Sequence, residues 1–266
     1  MIVHFKKLSV IKKVFKFILG LLILPFNIRF FSCGNIFKGK RVAIVGPANS
    51  AFEFENGSYI DGFDYVIRIN KALYTWKREN EKYIGTRTNI LFHNFFENLD
   101  TGGGGPIDIA LFNKSGVKYL VQPRNDKEGW RVIFNFYKKY LKSQIVWVLQ
   151  NDFYNQIQTS FGKYKPTMGY CALHSVLTGF SEEVFITGFT FFKTPYAVGY
   201  RDHLLDIKAN EDHIKNQGMH SPALEYDLFC KLLLESKVKK IYLDSKLFEI
   251  LTSDNIKLPE TIYLKK

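Results

Sequence analysis

His220 and Glu225 are separated by the four residues Ser-Pro-Ala-Leu, where a helix is expected from Pro222 to Leu234. An imidazole titrates near neutral pH, so a histidine held just before a helix suits removal of a proton from a hydroxyl group. Glu225, one turn into that helix, is placed to orient the loop or a bound molecule. A second group, Thr167, Met168 and Gly169, opens an apolar helix that reaches Leu177. A hydroxyl and unsatisfied amides at a helix start are a site for an anion. His174 lies inside that helix and reads as a core residue. The third group follows a short apolar run, Arg41–Val45, which ends in Gly46-Pro-Ala-Asn49-Ser50. A strand running into such a turn brings backbone amides to the carboxyl edge of a sheet, where nucleotides bind. Arg68 and Asn70 close the next apolar run and offer fixed donors to a ribose or a phosphate, and Gly188 ends a later one.

The elements that must position these groups alternate along the chain. Strands are expected at Arg41–Val45, Tyr65–Ile69, Ile90–Phe92, Lys118–Val121, Ile145–Leu149, Glu183–Thr187 and Lys240–Leu243. Helical periodicity appears between Trp130 and Leu141, between Tyr170 and Leu177, and from Pro222 to Leu234. Such alternation predicts a parallel sheet covered by helices on both faces. Two stretches read as loops. Thr101–Pro106, with four glycines, is a connector, and Lys193–Gly218 is polar, weakly periodic and long enough to be a lid.

The groups occur in an order and spacing that resemble the three sialylmotifs of the sialyltransferases. Gly46, Asn49 and Ser50, followed by Gly57, Ile60-Asp61, Arg68, Asn70 and Gly85-Thr-Arg-Thr88, are similar to the large motif. Pro166–Gly169, its helix, and Val184–Phe189 are similar to the small one. His220 and Glu225 match the very small motif. The resemblance covers roughly Arg41 to Leu243 and implies a Rossmann-like, GT-A-like parallel sheet. It further implies that His220 deprotonates an acceptor hydroxyl, which attacks the anomeric carbon of a CMP-activated sugar with inversion. In bacterial members two tyrosines hold the leaving phosphate. Tyr196 fits one position, but Phe192 occupies the other and lacks the hydroxyl, with Arg201, His203 or His213 as substitutes. Pro47 replaces the first asparagine of the large motif, which leaves its work to Asn49. The animal-type bridging cysteine is missing there too.

The chain has 266 residues, is 46% hydrophobic and carries a formal charge of +12, so an anionic partner is expected. Cys33, Cys171 and Cys230 have no metal-site or disulfide spacing, which suits a reducing compartment. Asp61 and Asp64 lack the spacing of a paired-aspartate metal motif, and neither metal nor resident cofactor is expected. Five lysines between Lys6 and Lys16 flank the apolar stretch Phe17–Phe26, which is shorter than the ~20 residues of a membrane-spanning helix and contains Pro25. A basic apolar helix lying on the membrane is expected, with residues 1–40 as that segment and 41–266 as the catalytic domain. Taken with this N-terminal segment, the resemblance implies transfer of sialic acid from CMP-sialic acid to a terminal sugar of a bacterial surface glycan, lipooligosaccharide or capsule. The enzyme would work at the cytoplasmic face of the inner membrane. The alternatives are a CMP-Kdo-dependent transferase and a non-catalytic nucleotide- or RNA-binding protein, although no nucleic-acid motif is present.

Overall fold

Val42 to Val45, Val66 to Ile69 and Val184 to Thr187 are buried without alternation, the mark of strands covered on both faces. The structure, a computed structural model, describes the backbone of residues 2–97, 103–202 and 206–266, and side chains over the same ranges except 2–10, 211 and 217. Its strands in chain order are β1 (Ile28–Phe31), β2 (Arg41–Val45), β3 (Tyr65–Ile69), β4 (Ile90–Phe92), β5 (Tyr119–Gln122), β6 (Val146–Leu149), β7 (Glu183–Thr187), β8 (Lys240–Leu243) and β9 (Ile262–Leu264). All pair in parallel, in the spatial order β1-β6-β5-β4-β3-β2-β7-β8-β9. From β2 the chain winds outward through β3, β4, β5 and β6. It then returns to β7 on the other side of β2 and continues to β8 and β9. The reversal puts a crevice at the carboxyl ends of β2 and β7, where parallel sheets bind ligands.

Helix Met168–Leu177 lies on one face with helix Pro222–Glu235, where Leu173, Val176 and Phe229 join the strand residues Ile44, Ile67 and Phe92 in one core. On the other face helix Lys127–Tyr140 packs Val132, Ile133 and Phe136 against Leu91, Leu120 and Val148. The expected α/β class holds, with all seven expected strands present.

The sheet also begins before residue 40 and continues past residue 243. β1 pairs with β6, and Phe31 and Phe37 are in the core, so residues 28–40 are built into the sheet domain. The helix before them runs from Ile2 to Asn27, and Pro25 falls in its last turn, where it ends the helix instead of breaking it. This helix lies on Lys127–Tyr140, with Phe17 edge-on to Phe134 and Gly20 against the backbone of Lys138. Among the described residues no helix is long and apolar enough to cross a membrane.

The expected loop at 193–218 contains a helix, Ile207–Gln217, capped by Asp206 at its start and by left-handed Gly218 at its end. Of the expected connector at 101–106, residues 101 and 102 lie outside the described residues. Gly104 is packed on His93, whose Nε2 donates to its carbonyl at 2.9 Å.

Candidate active site

β2 and β7 end side by side, with Val45 opposite Thr187, so Gly46 and Gly188 are the next residues on each strand. A methyl group on Gly46 would lie 2.3 Å from the Gly188 carbonyl oxygen. One on Gly188 would lie 2.5 Å from that of Gly46, and Gly188 has φ +74°. Only glycine permits this approach. Asp244, after β8, locks it from below: one buried carboxylate oxygen accepts from the Ser50 and Thr187 hydroxyls and from the Gly188 amide. Ser50 is thus a fastening of the turn. Asn49 is exposed and its amide donates to Pro195. Pro47 and Ala48 face the crevice instead, and the segment after β7 is strapped over them by an Ala48–Tyr196 bridge and the bond from Ala197 N to Pro47 O.

Above these turns opens a cleft of about 570 Å³. Of the residues singled out in the sequence, Asn70, Thr167, Met168, Gly169, Gly188, Tyr196, His220 and Glu225 line it. Arg68 does not. Its guanidinium is buried within the fold, donating to Thr88 Oγ1 and to the Ile84 and Gly85 carbonyls. Asp61 similarly clasps the Thr86 and Arg87 amides. The expectation that Arg68 contacts a ligand is therefore corrected: it holds the loop before β4. Asn70, by contrast, sits at the cleft with φ +50°, a conformation asparagine tolerates better than most residues. Its carboxamide oxygen accepts from Asn94 N, and its side chain is hydrogen-bonded to Tyr200.

His220 Nδ1 lies 2.7 Å from the carbonyl oxygen of Lys165. A carbonyl only accepts, so Nδ1 carries the proton and Nε2 is the basic nitrogen. Burial lowers the imidazole pKa below 6.5, opposed by the Lys165 bond and reinforced by the charges of Arg201 and Arg124. His220 is thus neutral near pH 7, the form a base requires. Five residues on, Glu225 is buried and accepts from both the amide (3.1 Å) and the hydroxyl (2.7 Å) of Thr167. The same hydroxyl caps the helix by accepting from Tyr170 N. Burial pushes Glu225 up to about 7 against the pull of those two bonds. Glu225 therefore orders Thr167 and is no solvated helix residue.

Tyr196 stacks on Tyr200, with ring centroids 5.2 Å apart. Arg201 lies 5.0 Å from the Tyr196 ring centroid, and the Lys71 ammonium 5.3 Å from that of Tyr200. Both tyrosines and Arg201 line the cleft, so each of two stacked phenols there has a cation over a ring. Tyr200 supplies the second phenol that Phe192 cannot; the tyrosine four residues after Tyr196 and just before Arg201 was the available signal. His203 lies outside the described residues. His174 packs against Phe153 and Tyr170, as a core residue does. Among the described residues no cluster of three or more His, Cys, Asp or Glu is arranged to hold a metal.

The model of glycosyltransferase family 29 (sialyltransferase) matches residues 6–237. The chain belongs to this family. The sialyltransferase fold is also seen in solved structures. A variant of the sialyltransferase Cst-II in complex with CMP superposes with a TM-score of 0.52 at 18% identity, covering 84% of this chain and 87% of that one. An α-2,3-sialyltransferase from Campylobacter jejuni in apo form gives 0.50 at 15% identity, with 90% and 87% covered. A mammalian sialyltransferase gives 0.47 at 19% identity, with 86% and 69% covered. No curated protein sequence matches the chain. Within this sialyltransferase, the small and very small motifs meet at the Thr167–Glu225 contact. The large motif divides into cleft residues, led by Asn70, and the internal clasps of Arg68 and Asp61.

Proposed function

We propose that this sialyltransferase moves sialic acid from CMP-sialic acid to a hydroxyl of a terminal sugar on a bacterial surface glycan, with inversion. The observation that carries this reading is the His220 tautomer: Nδ1 tied to Lys165 O, Nε2 basic, in the same cleft as two phenols and Arg201. His220 Nε2 takes the acceptor proton as the acceptor oxygen bonds to the anomeric carbon and the bond to the CMP phosphate breaks. Negative charge grows on that phosphate. Tyr196, Tyr200 and Arg201 supply donors fixed in advance, which supports a reaction without metal. The Thr167–Gly169 helix start and the turns at Pro47 and Gly188 form the donor end of the cleft, with Asn70 toward the ribose.

The reading includes attachment to the cytoplasmic face of the inner membrane. The N-terminal helix exposes Phe15, Ile18, Leu21, Leu22 and Phe26 alongside Lys12, Lys13 and Lys16. An apolar surface beside a basic one favours an anionic bilayer interface.

The test is CMP release from CMP-sialic acid over a panel of glycan acceptors, with wild type and His220→Ala. Acceptor-dependent release that falls by about 100-fold or more in the variant is expected for loss of a general base. The pH profile of kcat/KM should rise through a pKa below 6.5 and then level off, because the base works in its neutral form. Unchanged turnover in His220→Ala removes it as the base.

A further inference from the structure

The β4–β5 end of the cleft carries cations besides Arg201, which stands over the Tyr196 ring. Arg124 follows β5, Arg131 is in the first turns of helix Lys127–Tyr140, and Lys165 precedes the Thr167 helix; all three line the cleft. Neighbouring strands lie about 4.8 Å apart. Since β5 is three strands from β2, Arg124 stands on the order of 15 Å from the turn that carries Pro47 and Ala48. In the transferase reading, Arg201 and the tyrosine pair serve the phosphate.

Three cations meet two carboxylates at this end. Asp126 accepts from Arg124 at 2.8 Å and from the Gly129 amide, and the oxygen that Arg124 holds also lies 3.8 Å from the Lys165 ammonium. Glu128 pairs with Arg131 at 2.6 Å. The surplus is positive, and the amino end of the 14-residue helix Lys127–Tyr140 adds its dipole. Arg124 is mostly buried and held on Asp126 through Nε and Nη2, a planar donor fixed in position. Burial is the main cause of the lowered His220 pKa, and the charge of Arg124 adds a smaller contribution in the same direction. Phe96 and Met219, both largely exposed, line the same end and offer apolar surface to a sugar ring.

We infer that the acceptor is itself an acidic sugar, whose carboxylate is held by Arg124 with Arg131 and Lys165 while its hydroxyl faces His220. This rests on the transferase reading and adds the charge of the second substrate. Charge-assisted bonds from arginine to a carboxylate are strong and directional, and they discriminate against an uncharged ester of the same shape.

The experiment uses the full chain, CMP-sialic acid, and paired acceptors: a sialoside, a glucuronide and a galacturonide, each beside its methyl ester, with a neutral lactoside as reference. Product is read by mass spectrometry and rate by CMP release. At least one acid should exceed its ester by about tenfold or more in kcat/KM, the advantage shrinking with added salt. In Arg131→Gln and Arg124→Gln the acid-to-ester ratio should fall toward one. The wild-type ratio is decisive even if Arg124→Gln folds poorly, because Arg124 is tied to a helix cap. A ratio near one in wild type, a ratio kept in both variants, or transfer to the lactoside alone overturns the inference and leaves the transferase standing. A chain that releases no CMP with any acceptor and binds no CMP overturns both.

Discussion

Glu225 receives both hydrogen bonds that Thr167 can donate, from the amide at 3.1 Å and from the hydroxyl at 2.7 Å. A residue in the first turn of helix Pro222–Glu235 therefore sets the start of helix Met168–Leu177. Because burial raises Glu225 from 4.5 to about 7, the fold favours its protonated form. That contribution to stability is fully present below pH 4.5 and is lost as pH rises through about 7. The full swing is about 3 kcal/mol. Glu225→Gln does not titrate, so its stability relative to wild type should rise between pH 5 and pH 8. Denaturant melts at the two pH values measure this. A pH-independent difference would show that Glu225 titrates normally in the fold.

The phenol pair leads to a second expectation. Tyr196→Phe, Tyr200→Phe and Arg201→Met should each lower kcat by about 10- to 100-fold, in the range of lost charge-stabilising donors. Steady-state CMP release checks it. If Tyr200→Phe retains full kcat, the second phenol has no part in expelling the phosphate.

Lys71 acts through Tyr200 and touches no reacting atom in this reading. Lys71→Met should lower kcat with the KM for donor nearly unchanged, and Lys71→Arg should restore most of it, since a guanidinium also sits over a ring. Loss of Tm in step with loss of kcat, without rescue by arginine, would assign Lys71 to packing alone.

A methyl group at Gly46 or Gly188 meets backbone at 2.3 or 2.5 Å, and at Gly188 it also meets a left-handed φ. Gly46→Ala and Gly188→Ala should each destabilise the chain by about 2 kcal/mol or more, since neither contact can be relieved by a side-chain rotation. Thermal unfolding followed by circular dichroism measures the loss.

The N-terminal helix should carry the chain to anionic vesicles. Replacing Leu21, Leu22 and Phe26 by serine should abolish co-flotation with such vesicles, and added salt should weaken binding of the wild type. Flotation unaffected by the triple change would place any membrane contact elsewhere.

Much of the fold was legible because the central strands are apolar on both faces and each is followed by a turn. The edges were not. β1, Ile-Arg-Phe-Phe, buries only Phe31 fully and sits behind a basic apolar stretch that reads as its continuation. β9 buries only Ile262. Helix Ile207–Gln217 was read as loop because, apart from Asn210, His213 and Ile214, its described side chains are exposed. At the site, local motifs located His220, Thr167, Asn70 and Glu225. Arg124 and Asp244 carry no local signal, since only the strand order brings Arg124 to the cleft and Asp244 beneath its turns. Ser50 and Arg68 match the motif and yet serve the fold, because a buried donor is satisfied by whichever carbonyl or carboxylate is nearest.

The paired glycines beneath the donor end bear on how this scaffold can change its substrate. Neither backbone can recede or take on bulk without parting β2 from β7, and Asp244 ties both turns to the same point. In the proposed reading, the floor under the nucleotide sugar is thus a fixed dimension of the fold. A variant able to take a larger donor must find its room in the roof, along the strap from Thr190 to Arg201, where side chains can be exchanged without moving a strand.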